Sequence, residues 1–219
     1  MPTLPFPREL AKQPRGFHFF RVIDLGCIEF SAALTIQKQI LQAVICQQAP
    51  DTLIFCQHPH TITLGRLAEE DNILASGETL DLRGIEVLRI DRGGEVTYHG
   101  PGQLLAYPIF NLARHGKDLK KFLYNLEQVV IDFLRYFGIN GIRRNGLTGV
   151  WINDKKIASI GIGVRKWVTY HGVAVNISTD LEYFSLIRPC GLDVKMTALN
   201  RIYPESVDWE KAKSVMEES

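Results

Sequence analysis

The chain has 219 residues, of which 46% are hydrophobic and 22% charged, a composition typical of a globular protein and not of a disordered one. Its length suits one domain of good size. It has 25 basic and 24 acidic residues, so it lacks the excess of positive charge that a dedicated DNA-binding protein carries. No apolar stretch approaches the roughly 18 residues of a membrane span. The four cysteines form no C-x-x-C pair, so we expect neither a disulfide scaffold nor a zinc ribbon but a reduced, cytoplasmic protein.

The chain divides into an arm, one domain and a short tail. Residues 1–16 contain four of the ten prolines and no periodic pattern, which indicates an extended arm rather than a signal peptide. No linker or repeat interrupts residues 17–204, so we predict a single domain there. Residues 205–219 are predicted to form a surface helix or tail that carries Trp209.

Two segments have the apolar spacing of helices. Residues 31–48 begin at Ser31, a suitable N-cap, and carry apolar residues at helical intervals. Residues 118–137 carry a broad apolar stripe between Asp118, the expected cap, and Gly138, the expected stop. A stripe of this width predicts a helix that lies flat on a sheet.

The remaining periodic segments are rich in β-forming residues. A hairpin is predicted around the turn Asn153-Asp154, because short apolar runs flank these two polar residues. The predicted strands cover 52–57, 86–90, 104–110, 150–152, 156–164 and 168–177. Neighbouring hairpins together with two helices predict an α+β domain.

Residues 92–103, RGGEVTYHGPGQ, which we call the glycine segment, combine four glycines with polar side chains. A long turn explains the glycines alone. A turn does not require Arg92, Thr97, Tyr98, His99 and Gln103 together, so a ligand-binding role competes with that interpretation. The segment is neither a P-loop nor a dinucleotide fingerprint, since the spacing of both motifs is absent.

Cys190 differs from the other three cysteines in its surroundings. It lies between Pro189 and Gly191 just after Arg188, and a loop thiol near positive charge has the access and the field that a nucleophile requires. The other three cysteines, for which we expect buried and inert thiols, are Cys27, Cys46 and Cys56.

A cysteine nucleophile needs a proton acceptor, and the candidates are His99, His171 and Lys156. Side chains alternate along a strand, so Lys155 and Lys156 should point to opposite faces. A lysine turned into a partly apolar site loses proton affinity and can then exchange protons near neutral pH. Two solvated lysines, or a Cys–His pair, remain alternatives.

A metal site is a further alternative. Strand alternation places Cys56, His58 and His60 on one face, but Pro59 interrupts the strand and no fourth ligand is evident. We therefore expect no metal.

Three long motifs, in this order, resemble those of the lipoyl(octanoyl) transferase family. They are RGGEVTYHGPGQLLAYPI, KIASIGIGVRKWVTYHGVAVNI and PCG…MTAL, and HPHTITLGR is similar to the family's upstream strand and turn. The resemblance covers about residues 20–200. It implies the mixed-sheet catalytic fold of the biotin/lipoate protein ligases.

The resemblance also implies roles for individual residues. The family's acyl-thioester cysteine corresponds to Cys190, and its activating lysine to Lys156. The segments that contact substrate correspond to Arg92, Gly93, Gly94, Glu95, Val96, Thr97, Tyr98 and His99, to Ser159, Ile160 and Gly161, and to Gly172, Val173 and Ala174.

The implied reaction moves an octanoyl group from acyl carrier protein, through a cysteine thioester, to a lysine of a lipoyl domain. The acceptors would be the lipoyl domains of 2-oxoacid dehydrogenase complexes and the glycine cleavage H protein, with no cofactor, ATP, nucleic acid or membrane involved. Apolar strand residues, among them Ala158, Ile160 and Val173, would line the acyl slot. The basic pairs Arg143-Arg144 and Arg165-Lys166 would steer an acidic carrier, unless they are ordinary surface charge.

Two rival functions share the fold. An ATP-dependent lipoate or biotin ligase adenylates a free acid and needs no thiol nucleophile, so Cys190 argues against it. A non-catalytic protein that binds acyl groups or lipoyl domains would never gain acyl mass.

Overall fold

The computed structural model describes residues 20–188 and 194–219, so the predicted arm over residues 1–16 lies outside the described part. The strands are β1 Arg21–Cys27, β2 Thr52–Gln57, β3 Thr61–Leu64, β4 Glu86–Arg89, β5 Val96–His99, β6 Gln103–Ile109, β7 Ile142–Arg144, β8 Leu147–Ile152, β9 Lys155–Arg165 and β10 Val168–Asn176. A seven-stranded sheet has the order β1-β2-β6-β10-β9-β8-β7, and a three-stranded sheet has the order β4-β3-β5. Both sheets are mixed, since β1 pairs with β2 and β3 with β4 in parallel while the other ladders are antiparallel. The predicted α+β class is confirmed.

The helices are α1 Phe30–Ile45, α2 Gly77–Leu82, α3 Leu119–Tyr136 and α4 Trp209–Glu218. Among the described residues, no helix has the length and apolar character needed to cross a membrane. The division into arm, single domain and tail stays a prediction.

The two long helices differ in how they begin. The Asp118 carboxylate accepts the Lys121 N–H and caps α3 as predicted, and Gly138 follows the helix with a positive φ of 70°. The prediction of Ser31 as the cap of α1 is wrong, because the helix begins at Phe30 and its N-cap is Glu29. Phe30 is buried, so packing of its ring extends the helix beyond the residue that local capping chemistry favours.

Strand alternation divides the core between the two faces of the large sheet. On β2, Phe55 faces the cluster that contains α3 and α4, whereas Ile54 and Cys56 face the cluster that contains α1. Helix α4 contributes Ala212, Val215 and Met216 to the cluster that contains α3, so α4 is packed against the same face of the sheet as α3. The small sheet has its own apolar cluster around Ile62 and Tyr98.

Strands β8, β9 and β10 are joined by two tight hairpin turns. Strands β8 and β9 flank the predicted turn, and Asn153 adopts a φ of 53° that asparagine tolerates. Between β9 and β10, Lys166 and Trp167 both have positive φ, as a two-residue type I′ turn requires. In the second hairpin the start of β9 lies beside the end of β10, with Ala158 paired to Val175 and Gly161 to Gly172.

The cysteine prediction is partly wrong. Cys56 is buried on β2, but Cys27 and Cys46 are exposed. Both exposed cysteines lie where an element ends, Cys27 as the last residue of β1 and Cys46 as the C-cap of α1. A side chain at the end of an element can lie beyond the packed core, and the apolar residues around it in the sequence do not show that it is exposed.

Truncation of Phe133 should test the packing of α3 on the sheet. The Phe133 ring is fully buried, so Phe133→Ala is expected to lower the free energy of unfolding by about 3–5 kcal/mol. Leu82, at the end of α2, is 82% exposed, and Leu82→Ala should change the same quantity by only about 0.5 kcal/mol. Urea unfolding would measure both, and equal losses would contradict this arrangement.

Candidate active site

Lys156 is the second residue of β9, and strand alternation determines which of the two neighbouring lysines enters the protein. Lys155 is exposed, whereas Lys156 is buried with 9% of its surface accessible. The prediction that one of the two lysines turns inward is therefore confirmed, and the inward one is Lys156. Its Nζ lies 5.5 Å from the centroid of the Trp151 ring, a cation–π contact.

The backbone of Lys156 is held by the segment that follows the undescribed residues 189–193. The Lys156 N–H donates to the Lys195 carbonyl at 2.8 Å, and the Thr197 N–H donates to the Lys156 carbonyl at 2.9 Å. Before these residues, the Arg188 N–H donates to the Asn72 carbonyl at 2.8 Å. The predicted nucleophile Cys190 lies outside the described residues.

A cavity of about 540 Å³ opens along β9 and β10. All the predicted site residues within the described ranges line it, except Tyr98. They are Lys156, Arg92, Gly93, Gly94, Glu95, Val96, Thr97, His99, Ser159, Ile160, Gly161, Gly172, Val173 and Ala174. The topology thus brings the glycine segment to the β9–β10 hairpin, more than fifty residues further along the chain.

Two glycines of the cavity wall allow neighbouring segments to approach the strands closely. Gly161 and Gly172 are register partners, and a Cβ on either would approach a neighbouring segment rather than fill the cavity. On Gly161 it would lie 2.9 Å from the Gly93 carbonyl oxygen, and on Gly172 it would lie 2.2 Å from the Ala106 carbonyl oxygen. The glycines therefore permit close packing of the glycine segment and of β6.

The glycine segment is not a simple turn. Its residues Val96–His99 form β5, which pairs with β3, and the Gly93 N–H donates to the Ile162 carbonyl of β9 at 2.9 Å. Arg92 is buried and donates through Nη2 to the Thr63 carbonyl at 2.8 Å and through Nη1 to the Gly93 carbonyl at 3.0 Å. These bonds hold the segment over the cavity.

Tyr98 points away from the cavity because it alternates with its strand neighbours. Its ring is fully buried in the cluster of the small sheet, and its hydroxyl is 2.7 Å from His60 Nδ1. Burial raises the pKa of this phenol well above its usual value. Tyr98 thus supports the fold of the glycine segment and does not line the cavity.

Three buried histidines surround the Phe30 ring near the far part of the cavity. Ring centroids lie 4.8 Å from Phe30 for His58, 5.5 Å for His99 and 6.5 Å for His171. Burial lowers the pKa of His58 to about 4 and that of His99 well below 6.5. Burial also lowers the pKa of His171 to about 4, although the hydrogen bond to Asp91 opposes this. All three imidazoles are neutral near pH 7.

His171 is also remote from Lys156 along the strand. It pairs with Ile162, six residues beyond Lys156, which corresponds to about 20 Å of strand at about 3.3 Å per residue. His99 is held by Gln103, whose Oε1 is 2.8 Å from its Nδ1. Among the three predicted proton acceptors, Lys156 is the one beside the segment that follows Cys190.

The alternative metal site does not assemble. Cys56 Sγ and His58 Nε2 are 3.7 Å apart, but His58 is also bonded to Tyr107 and to the Ile28 carbonyl. His60 instead stacks on Tyr183 with ring centroids 4.2 Å apart. Within residues 20–188 and 194–219, no three His, Cys, Asp or Glu side chains are placed to hold a metal ion.

Several cavity residues were not predicted, and one predicted wall residue is elsewhere. Ala158 packs in the α3 core, because an irregularity between β8 and β9 changes the alternation after Lys156. The additional lining residues on helices α1 and α3 and on β6 and β8 are Phe30, Leu119, Leu123, Tyr107, Leu147, Thr148 and Trp151. An apolar stripe marks helix residues as buried, but no sequence signal separates those facing a core from those facing a cavity.

The chain matches the lipoyl protein ligase A/B catalytic domain family over residues 29–219. It is 45% identical over 188 residues to an octanoyltransferase of Syntrophobacter fumaroxidans, with 85% of this chain and 82% of the relative covered.

Solved structures share the fold at low identity. A lipoate-protein ligase A bound with ATP superposes with a TM-score of 0.74 at 16% identity, covering 90% of this chain and 81% of the other. The biotin protein ligase of Aquifex aeolicus superposes with a TM-score of 0.51 at 12% identity, covering 92% and 67%. The predicted biotin/lipoate protein ligase fold is confirmed.

Proposed function

Because this chain belongs to the octanoyltransferases of the lipoyl protein ligase A/B family, we propose that it carries the octanoyl group as a thioester on Cys190. Octanoyl-acyl carrier protein is the proposed donor, and a lysine of a lipoyl domain is the proposed acceptor. The observation that carries the proposal is the buried Lys156 amine in the wall of a largely apolar cavity.

The cavity suits a linear acyl chain. Ile160, Val173 and Ala174 line its strand wall, and the imidazoles of His99 and His171 are neutral near pH 7. Seven buried CH₂ and CH₃ groups, at about 0.8 kcal/mol each, would contribute about 5–6 kcal/mol to binding. The thioester carbonyl would lie near Lys156, and the chain would extend toward Gly161 and Gly172.

In the first half-reaction, the Cys190 thiolate attacks the thioester carbon and a tetrahedral intermediate forms. A lysine ammonium beside a thiol favours the thiolate, which is the nucleophilic form. When the intermediate collapses, the bond from carbon to the carrier sulfur breaks, and the Lys156 ammonium protonates the carrier thiolate. The products are the free carrier thiol and the octanoyl-enzyme.

In the second half-reaction, the neutral amine of a lipoyl-domain lysine attacks the acyl-enzyme. The carbon–sulfur bond to Cys190 breaks, an amide forms, and Lys156 accepts the proton that the amine loses. This regenerates the thiolate and the ammonium. A thioester drives amide formation downhill, so the reaction needs no ATP.

The donors for the developing oxyanion belong near the Lys156 end of the cavity, where the reacting carbonyl is proposed to lie. The backbone of Gly161 is too distant to supply them, because it lies five residues along β9 from Lys156, on the order of 15 Å at about 3.3 Å per residue. Backbone N–H groups around Cys190 are the better candidates, since oxyanion donors act within hydrogen-bond distance.

The surface pairs expected to steer an acidic carrier differ in their availability. Arg143 is bound to Glu127, and the Arg144 guanidinium carbon lies 4.7 Å from the centroid of the Trp151 ring. Arg165 and Lys166 are exposed at the β9–β10 turn. Arg165 and Lys166, however, lie at the far end of β9, about 30 Å from Lys156 at about 3.3 Å per residue, and exposed charges are screened over such a distance, so we assign the steering role to neither pair.

Intact-mass analysis tests the proposed function. Octanoyl-acyl carrier protein without ATP should add one octanoyl group to the enzyme, and hydroxylamine should remove it because the bond is a thioester. Addition of a lipoyl domain should transfer the mass to that domain. Modification of the lipoyl domain from free octanoate and ATP, without the carrier, would instead indicate an adenylating ligase. Binding without any acyl mass would indicate a non-catalytic protein.

A further inference from the structure

Gly149 of β8 gives the Lys156 side chain its space. A Cβ on Gly149 would lie 2.5 Å from Lys156 Cε and 3.2 Å from Nζ. It would also lie 2.5 Å from the Ala158 carbonyl oxygen. The φ of Gly149 is 127°, a conformation that favours glycine. Any other residue here would therefore crowd the lysine and strain the backbone.

The ladder between β8 and β9 is irregular beside this glycine. Val150 pairs with Ala158, but Trp151 pairs with Lys156, so β9 contains one extra residue at this point. Such a bulge interrupts regular pairing and redirects side chains. Regular backbone pairing of β8 with β9 therefore does not by itself fix the position of Gly149 relative to Lys156, and other contacts must contribute.

Glu127 of α3 supplies one of those contacts. Its Oε1 accepts the Gly149 N–H at 3.0 Å, and its Oε2 accepts Arg143 Nε at 3.1 Å. The Glu127 side chain is 13% exposed, so solvent screens these bonds less than it screens a surface pair. One carboxylate thus joins the helix to two strands at the edge of the sheet.

Residues of α3 also hold the Arg143 side chain in place, and Arg143 in turn restricts the movement of the Glu127 carboxylate. Arg143 Nη2 donates to the Tyr124 carbonyl at 3.0 Å and to Gln128 Oε1 at 2.9 Å. Its guanidinium carbon lies 3.7 Å from the centroid of the Tyr124 ring. A partly buried charge held by several bonds positions its partners more firmly than a single contact would.

We infer that Glu127 and Gly149 are positioning residues for the Lys156 amine: Glu127 holds the Gly149 backbone, and Gly149 leaves the channel in which the lysine side chain lies. This inference rests on the proposed function for the importance of the amine, but the placement of the amine is testable by itself.

Chemical modification of the two neighbouring lysines provides the test. Full-length protein is treated with a limiting amount of acetic anhydride, and peptide mass mapping gives the ratio of acetylation at Lys156 to that at Lys155. Lys155 serves as the internal reference because it is exposed on the opposite face. In Glu127→Ala this ratio should change by about threefold or more, and octanoyl loading should slow by about tenfold, since small displacements of a reacting group are costly.

Conservative and matched variants separate positioning from general loss of stability. Glu127→Gln keeps an oxygen that accepts the Gly149 N–H, so it should retain the wild-type ratio. Glu210→Ala removes an exposed carboxylate that pairs with Lys213 and should also leave the ratio unchanged. Gly149→Ala, if near-UV circular dichroism shows that it folds, should change the ratio in the same way as Glu127→Ala; if it does not fold, the two Glu127 variants decide.

The inference is overturned if Glu127→Ala keeps the wild-type ratio, whatever its stability. It is also overturned if Glu127→Gln and Glu127→Ala change the ratio equally, because the accepting oxygen would then be irrelevant. A changed ratio in an enzyme whose wild type never gains octanoyl mass would leave the positioning intact and refute the proposed function instead.

Discussion

Cys190→Ala is expected to abolish the octanoyl adduct and to lower the rate of octanoyl transfer by about 10⁴-fold or more, as loss of a covalent nucleophile does in other enzymes. The physical reason is that alanine offers no atom that can form the thioester, so the two half-reactions lose their common intermediate. Intact mass after incubation with octanoyl-acyl carrier protein measures the adduct. Amide formation on a lipoyl domain measures the transfer.

The chain supplies matched controls for this substitution. Cys27 and Cys46 are exposed thiols outside the cavity lining, so Cys27→Ala and Cys46→Ala should retain both the adduct and the transfer rate. A hydroxylamine-sensitive adduct that persists in Cys190→Ala would assign the thioester to another cysteine. Normal transfer by Cys190→Ala would instead support direct attack of the lipoyl lysine on the carrier thioester.

Much of the fold could be predicted from the sequence, because the long helices and strands have clear apolar periodicity. The stripe of α3 has the helical period and a true cap at Asp118, so its predicted limits of 118–137 differ by one residue at each end from Leu119–Tyr136. β5 was not predicted, because its residues lie among glycines that locally favour a turn. Its partner β3 is more than thirty residues away, and that pairing is a tertiary event.

The candidate site was predictable where side-chain direction follows from strand period or from family resemblance. Alternation indicated that one of Lys155 and Lys156 is buried, and the bulge beside β8 explains why the same alternation failed for Ala158. The exclusion of Tyr98 from the cavity depends on pairing of β5 with β3. Glu127, whose carboxylate reaches across from α3, carries no local signal at all.

Lys156→Ala is expected to slow octanoyl loading by about 10²–10⁴-fold, the usual contribution of a positioned acid or base. Lys155→Ala should stay within about twofold, because its side chain is exposed and a surface substitution away from a site has small effects. The pair differs by a single position in one strand, so charge, composition and local sequence are matched. Lys156→Arg should also be slow, since a guanidinium keeps its proton: it can neither protonate the departing carrier thiolate during loading nor accept a proton from the attacking amine afterwards.

Single-turnover mixing with octanoyl-acyl carrier protein measures loading, and addition of a lipoyl domain to preformed acyl-enzyme measures the second step. If Lys156 moves protons in both half-reactions, Lys156→Ala should impair both steps, whereas a lysine that only favours the thiolate would affect loading alone. Equal rates for Lys155→Ala and Lys156→Ala would show that the buried amine has no part in the chemistry. The proton acceptor would then have to be sought at His99 or His171, which are the other two candidates in the cavity wall, and His99→Gln and His171→Gln would be the next variants to measure.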